Sequence, residues 1–221
     1  MTAQKNQPQP PRLPAAPEPG ELRAAVALAL EREEDVTGRL FREEAWEAAA
    51  LDRLEFRGCV FENCRLPGGV FSRVNFTDVL FRGCDLSGMD WQACAALRVR
   101  MEDCKAVGAD LAGVKLHHFT VSGGNWQYAN FSGAVFRAAA FEGCDISDGV
   151  FLESRLDGAP FRDCKLTRCS FQRTPLKGVD LSTDNIEGLL LNGPELEGAV
   201  VTMLQAAGLA KLLGLKIKEE Q

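Results

Sequence analysis

The chain has 221 residues, 46% of them hydrophobic, with a formal net charge of −6 and a pI near 5.1. That is enough chain for one domain with tails and a sizeable core. The acidic balance argues against direct nucleic-acid binding, which leaves a basic footprint, and no run of about 20 apolar residues is present to form a transmembrane helix.

Residues 1–20 carry six of the ten prolines. They lack the apolar segment of a signal peptide and read as a disordered, Pro-rich tail; without a signal, the expected compartment is the cytoplasm. Residues 21–40 read as an N-terminal helical cap. Within 21–34, Leu22, Val26, Ala29 and Leu30 form one apolar stripe at helical spacing.

From Leu51 to Val201 every fifth residue is bulky and apolar except Ala96 and Ala106, and eleven of the 13 Phe fall on this frame. A second column, two residues before each bulky one, is mostly Ala, Cys, Gly, Ser, Thr or Val. Bulky beside small is a packing pattern: the two share one narrow interior. A helix repeats at 3 and 4 and a strand at 2, so a strict five marks a stacked repeat. Val36, Phe41 and Trp46 extend the frame upstream, but Glu34, Arg39 and Glu44 occupy the small column there. The first coil is therefore expected to be irregular. Glycines such as Gly88, Gly133 and Gly158 fall two after a bulky residue, where a corner needs unusual φ/ψ.

The segments Cys84-Asp85-Leu86-Ser87-Gly88, Ala109-Asp110-Leu111-Ala112-Gly113 and Ala129-Asn130-Phe131-Ser132-Gly133 resemble the consensus of the pentapeptide-repeat family. The resemblance covers residues 41–201. It implies an all-β fold: a right-handed quadrilateral parallel β-helix with four pentapeptides per coil, capped by helices at both ends because a solenoid has raw edges to cover. At a strand spacing of about 4.8 Å, roughly eight coils give a rod about 40 Å long. Residues 202–221 supply the C-terminal capping helix and tail, with Thr202 as N-cap, a helix through Leu213 and Gly214 as its stop. Met203, Leu204, Ala207, Leu212 and Leu213 form its apolar face, which reads as a lid on the last coil or as a lid that also joins two copies into a homodimer.

Little of the remaining chemistry points to catalysis. All eight cysteines fall in the small inward column, where a free Cys is a small buried hydrophobe, and no CxxC pair suggests a metal. His117 and His118 sit at polar positions with no partner at catalytic spacing. A filled rod offers no concave pocket. No catalytic, cofactor or metal site is expected, and the chain reads as a non-enzyme. One stretch is irregular: the bulky column runs Trp91, Ala96, Met101, Ala106, and Phe119 stands in a small position. Bulk is exchanged between neighbours here, giving either compensated packing or a binding dimple.

The chain also resembles the Qnr-type and mycobacterial quinolone-resistance pentapeptide proteins. That resemblance implies a bacterial, dimeric, acidic rod: a DNA mimic that binds and inhibits DNA gyrase or topoisomerase IV, with no direct nucleic-acid or membrane partner. Steps of twenty residues sort the charges onto four faces. The most acidic carries Glu62, Glu102, Asp103, Glu142, Asp163 and Asp180 against Arg82, Arg100 and Arg162, and is the expected partner-binding face. Arg57, Arg98 and Arg137 lie on the basic one. Duplex DNA carries a charge per about 1.7 Å, far denser than this. The alternative is a protein–protein interaction scaffold.

Overall fold

A computed structural model describes residues 7–91, 93–157 and 161–218; Gly158 lies outside them. The chain is a parallel β-solenoid whose coil takes twenty residues. Val36 pairs with Phe56, Phe56 with Phe76, Phe76 with Ala96, Ala96 with Leu116 and Leu116 with Phe136. The same step holds as far as Asp180 and Val200. Each rung is hydrogen-bonded both ways: Leu66 N–H donates to Asp85 O (2.8 Å) in the next coil, and Val70 N–H to Ala49 O (2.7 Å) in the previous one. Twenty residues hold four bulky positions, so each coil has four sides.

The five-residue frame builds the core because each bulky side chain stacks on its equivalent one coil away. Phe131, Phe151 and Phe171 stack at 4.9 and 4.8 Å, and Phe41, Phe61 and Phe81 at 5.0 and 4.7 Å between ring centroids. The small column tolerates polar atoms because most find a carbonyl 23 residues earlier. Cys59 Sγ reaches Val36 O (3.2 Å), and Ser154 Oγ donates to Phe131 O (2.6 Å). At the irregular stretch, Ala96, Ala106 and Phe119 are all buried in the same cluster, so the inside is filled by exchange of bulk.

Among the described residues the corners are left-handed at the residue two after each bulky one except Thr183, and not only at glycine. Arg73 (φ 55°), Tyr128 (φ 61°) and Ala138 (φ 49°) adopt the same conformation. Such a residue costs about 1–2 kcal/mol, which the inter-coil hydrogen bonds and the stacked core offset. The Asp or Asn before the bulky residue stabilises the turn: the side-chain oxygens of Asp85, Asn130 and Asp145 accept the N–H groups of Ser87, Ser132 and Ser147 at 3.0–3.1 Å.

The N-terminal end departs from expectation. Residues 7–20 are not a disordered tail; they form a strap along one corner of the rod. Glu18–Pro19 pairs with Arg39–Leu40 as an added strand, Arg12 N–H donates to Asp78 Oδ1 (2.8 Å), and Gln9 N–H to His118 Nδ1 (3.2 Å). Proline holds its own φ, so such a segment loses little entropy on docking, and composition alone misreads it. Helix α1 (Leu22–Arg32) buries Leu22, Val26 and Ala29 over the first coil, while Leu30 is exposed. That coil is regular in register and begins at Val36, five residues earlier than expected. Arg39, in the small column, reaches the strap at Glu18 (2.9 Å).

At the other end Thr202 and Gln205 form a reciprocal capping box on helix α2 (Met203–Ala210), and a 3-10 turn (Lys211–Leu213) ends at Gly214 (φ 76°). Gln205 Nε2 donates to Leu181 O (2.8 Å) and Asp184 O (2.9 Å), tying the helix to carbonyls of the last coils. Leu209 is buried and Ala207 half-buried, but Met203 (91%), Leu204 (84%) and Leu212 are exposed. The Leu213 side chain lies outside the described residues. No helix among the described residues is long and apolar enough to cross a membrane.

Candidate binding faces

The twenty-residue step places Glu62, Glu102 and Glu142 on one face, one above another, but cations interleave with them. Glu62 pairs with Arg42 (2.8 Å) and Arg82 (3.2 Å); Glu102 pairs with Arg82 (2.7 Å) and Arg100 (2.8 Å). The Glu102 hydrogen bond and charge raise the Arg82 pKa. Glu142 pairs more loosely with Arg162 (3.7 Å). Asp103 and Asp163 stand at left-handed corners, and Asp180 turns back to accept Ser182 N–H (2.9 Å). The first half of the acidic face is thus an alternating ion-pair ladder, and uncompensated carboxylates begin at Asp103.

The thiols are inside the rod. All eight cysteines are buried and free, and burial pushes Cys94 and Cys169 up to about 12. Cys144 and Cys164 stack at 3.4 Å. Among the described residues, no three His, Cys, Asp or Glu side chains form a group able to hold a metal ion. The column of Cys64, Cys84 and Cys104 stops at Gly124 before resuming at Cys144, and it ends in a carboxylate, Asp184.

Asp184 lies under α2 with 6% exposure. Its Oδ1 accepts Cys164 N–H (2.7 Å) while Oδ2 is buried without a partner. Burial, helped by the charges of Asp163 and Asp180, pushes its pKa from 3.8 up to about 6. Between those values the folded chain holds a proton that the unfolded chain has lost. Stability from this group is therefore greatest at acid pH and falls as pH rises through about 6. Asp184→Asn keeps an oxygen for Cys164 N–H and removes the charge. In urea unfolding at about pH 7.5 the variant is expected to gain about 2–3 kcal/mol over the parent, and the gap should close by about pH 4. A gap that does not change with pH would show that Asp184 buries no charge.

The neighbouring face, one side before the acidic one in each coil, is not flat, contrary to the expectation of a rod without a pocket. A groove of about 630 Å³ runs across several coils, floored by Phe76, Ala95, Ala96, Leu97, Leu116 and Val135. The alanines standing where other coils carry larger residues are the sequence signal for it. Lys115, His117, Arg137 and Arg155 rim the groove, and Glu55 at its far end is paired with Arg57 (2.7 Å). The strap follows the adjoining corner. There Asp78 is held by Arg98 (Nη2 to Oδ2 2.7 Å); burial pushes its carboxyl up, but Arg98 and the Arg12 N–H outweigh that and leave it below the usual carboxylate value. Arg57 and Arg98, two of the three residues expected to make this face basic, are therefore neutralised, and Arg137 is not.

Family models for the pentapeptide repeat region match residues 54–131 and 74–148, and one for pentapeptide repeats (8 copies) matches residues 153–182. The chain is 34% identical over 101 residues to the quinolone resistance pentapeptide repeat protein QnrB96 of Scandinavium goeteborgense, covering 41% of this chain and 47% of that protein. It is 33% identical over 75 residues to the pentapeptide repeat protein QnrB4 of Escherichia coli, covering 29% of this chain and 35% of that one. The chain thus spans less than half the length of the curated relatives it matches. Among solved structures, trypsin-treated QnrB1, a plasmid-mediated fluoroquinolone resistance protein, superposes with a TM-score of 0.50 at 22% identity, over 83% of this chain and 93% of that one. That likeness speaks for the fold alone. With its twenty-residue coil, its stacked core and family matches over more than half its residues, this chain belongs to the pentapeptide-repeat proteins and is related to Qnr.

Proposed function

We propose that this chain is a non-enzymatic binding protein of the bacterial cytoplasm. Its partner is a type II topoisomerase, DNA gyrase or topoisomerase IV, which it engages as a rod standing in for duplex DNA. The observation that carries this reading is the similarity to QnrB96 and QnrB4, the first of which is named for quinolone resistance. The exposed Met203 and Leu204 on α2 support a homodimer through the C-terminal helix, because apolar side chains this bare mark contact surfaces. The ion-pair ladder shifts the mimicking charge to Asp103, Asp163 and Asp180, leaves Glu62 and Glu102 with little of it, and leaves Glu142 only loosely paired to Arg162.

The test is inhibition of gyrase supercoiling by the purified protein. Micromolar protein should inhibit at low salt and lose effect as salt rises, because screening shortens from about 10 Å at 0.1 M to about 3 Å at 1 M. Reversing Asp103, Glu142 and Asp163 together should abolish inhibition with the melting transition unchanged. Met203→Asp with Leu204→Asp should yield a monomer by light scattering and weaken inhibition. Supercoiling untouched at high protein and low salt removes the topoisomerase reading. The ladder's near-neutral charge favours a second reading, a protein-interaction scaffold, which would then stand.

A further inference from the structure

Between residues 36 and 200, 13 of the 18 cations have a carboxylate within ion-pair distance, commonly one coil away, as in Arg168 with Asp148 (2.6 Å) and Arg173 with Glu153 (2.6 Å). Among the described residues of that stretch, the cations without such a partner are Arg65, Lys115, Arg137, Arg155 and Lys177. Four of these five stand on one face, one per coil on consecutive coils; three rim the groove and Lys177 lies one coil beyond it. Asp157, the carboxylate nearest them in the chain, has an interaction of its own, yet none of the four cations is paired. Consecutive rungs lie about 4.8 Å apart, so the four charges extend over about 15 Å.

We infer that this groove is a docking surface for an extended acidic segment of a partner protein, its carboxylates on Lys115, Arg137, Arg155 and Lys177 and an apolar side chain over Ala95, Ala96 and Leu97. About five residues of extended chain span that distance. Charge complementarity selects an anionic occupant, because these four cations line one face and none of them has a carboxylate partner among the described residues. The floor selects a peptide over a nucleic-acid strand. Single strands are bound by stacking bases on exposed aromatic rings, whereas the floor is aliphatic apart from the buried Phe76. The surface lies on a different side of the rod from Asp103 and Asp163, so this inference stands apart from the topoisomerase reading.

The probe is a fluorescein-labelled peptide, Glu-Glu-Leu-Glu-Glu-Leu-Glu, titrated by fluorescence anisotropy at low ionic strength. The parent should bind it, and Arg137→Glu with Arg155→Glu should weaken binding by at least about tenfold, since like charges across an interface repel. Arg65→Glu, a charge reversal on another face, should stay within about twofold of the parent. If the double variant does not show the parent's melting transition, Lys115→Glu with Lys177→Glu carries the same expectation. Gyrase inhibition by the double variant should be unchanged, which separates this surface from the topoisomerase one. No binding at millimolar peptide, equal weakening by Arg65→Glu, or tighter binding of an oligothymidylate of equal charge would overturn the assignment.

Discussion

Replacing Gly124 with alanine is expected to destabilise the chain by more than about 4 kcal/mol, an exceptional loss for one methyl group. Gly124 stands in the small inward column at φ 83°, next to a second left-handed glycine, Gly123. A Cβ there would overlap the Cys104 carbonyl oxygen and lie 2.8 Å from the Cys104 nitrogen. Both are backbone atoms of the previous coil, and the oxygen accepts Asn125 N–H (2.9 Å) in a rung joining the coils. Relief requires two coils to separate, which breaks hydrogen bonds and unstacks the core together. Gly113→Ala is the control. Gly113 is left-handed (φ 70°) but open space surrounds it, so only the left-handed penalty of about 1–2 kcal/mol applies. Urea midpoints measured for both variants should differ widely; coinciding midpoints would mean the coils yield where they are drawn tight.

Phe136→Ala is expected to cost about 3–5 kcal/mol, as a large-to-small change that leaves a cavity. The ring is fully buried and lies 5.7 Å from Phe131, 5.6 Å from Phe141 and 6.3 Å from Phe151. Its neighbours are themselves stacked along the axis and cannot collapse inward without breaking those stacks. The alanine at position 96, on the same side two coils away, shows what tolerance requires: Phe119 enters the core from the small column in that region. The adjacent Arg137→Ala points outward with no ion pair to lose and should cost under about 0.5 kcal/mol. Equal thermal midpoints for the two variants would refute the inward frame.

The solenoid was legible because a period of five leaves every Phe stack and every inward cysteine in view of a linear reading. Phe119, out of place in the frame, was legible as exchanged bulk, and it is buried in one cluster with Ala96 and Ala106. The strap was not legible. Its contacts run from Gln9 to His118 and from Arg12 to Asp78, and composition carries no information about partners so far apart in the chain. The acidic face was half legible. Summing charge by steps of twenty assigns Glu62 and Glu102 to one side, but a sum hides that Arg82 stands between them and pairs with both. The same sum concealed the groove. Asp35, Glu55 and Asp78 near one end cancel the cations of that face on paper, whereas in space they are spent on Arg57 and Arg98, and Lys115, Arg137, Arg155 and Lys177 farther along remain uncancelled.

The twenty-residue register gives the rod two different phases. The hydrophobic column counts length modulo five, but the surface counts it modulo twenty. Excising residues 65–84 would join Cys64 to Asp85 and return each outward side chain to its own side, on a rod shorter by one rung of about 4.8 Å. Excising five residues between Gly124 and Phe136 would leave the interior as well filled as before, yet everything downstream would turn by a quarter. Glu142 would then stack in line with His117, and Arg137 would leave the groove for the adjacent side. Changes in length are therefore silent to folding in steps of five and silent to recognition only in steps of twenty, so this architecture can exchange its binding surfaces without disturbing its core.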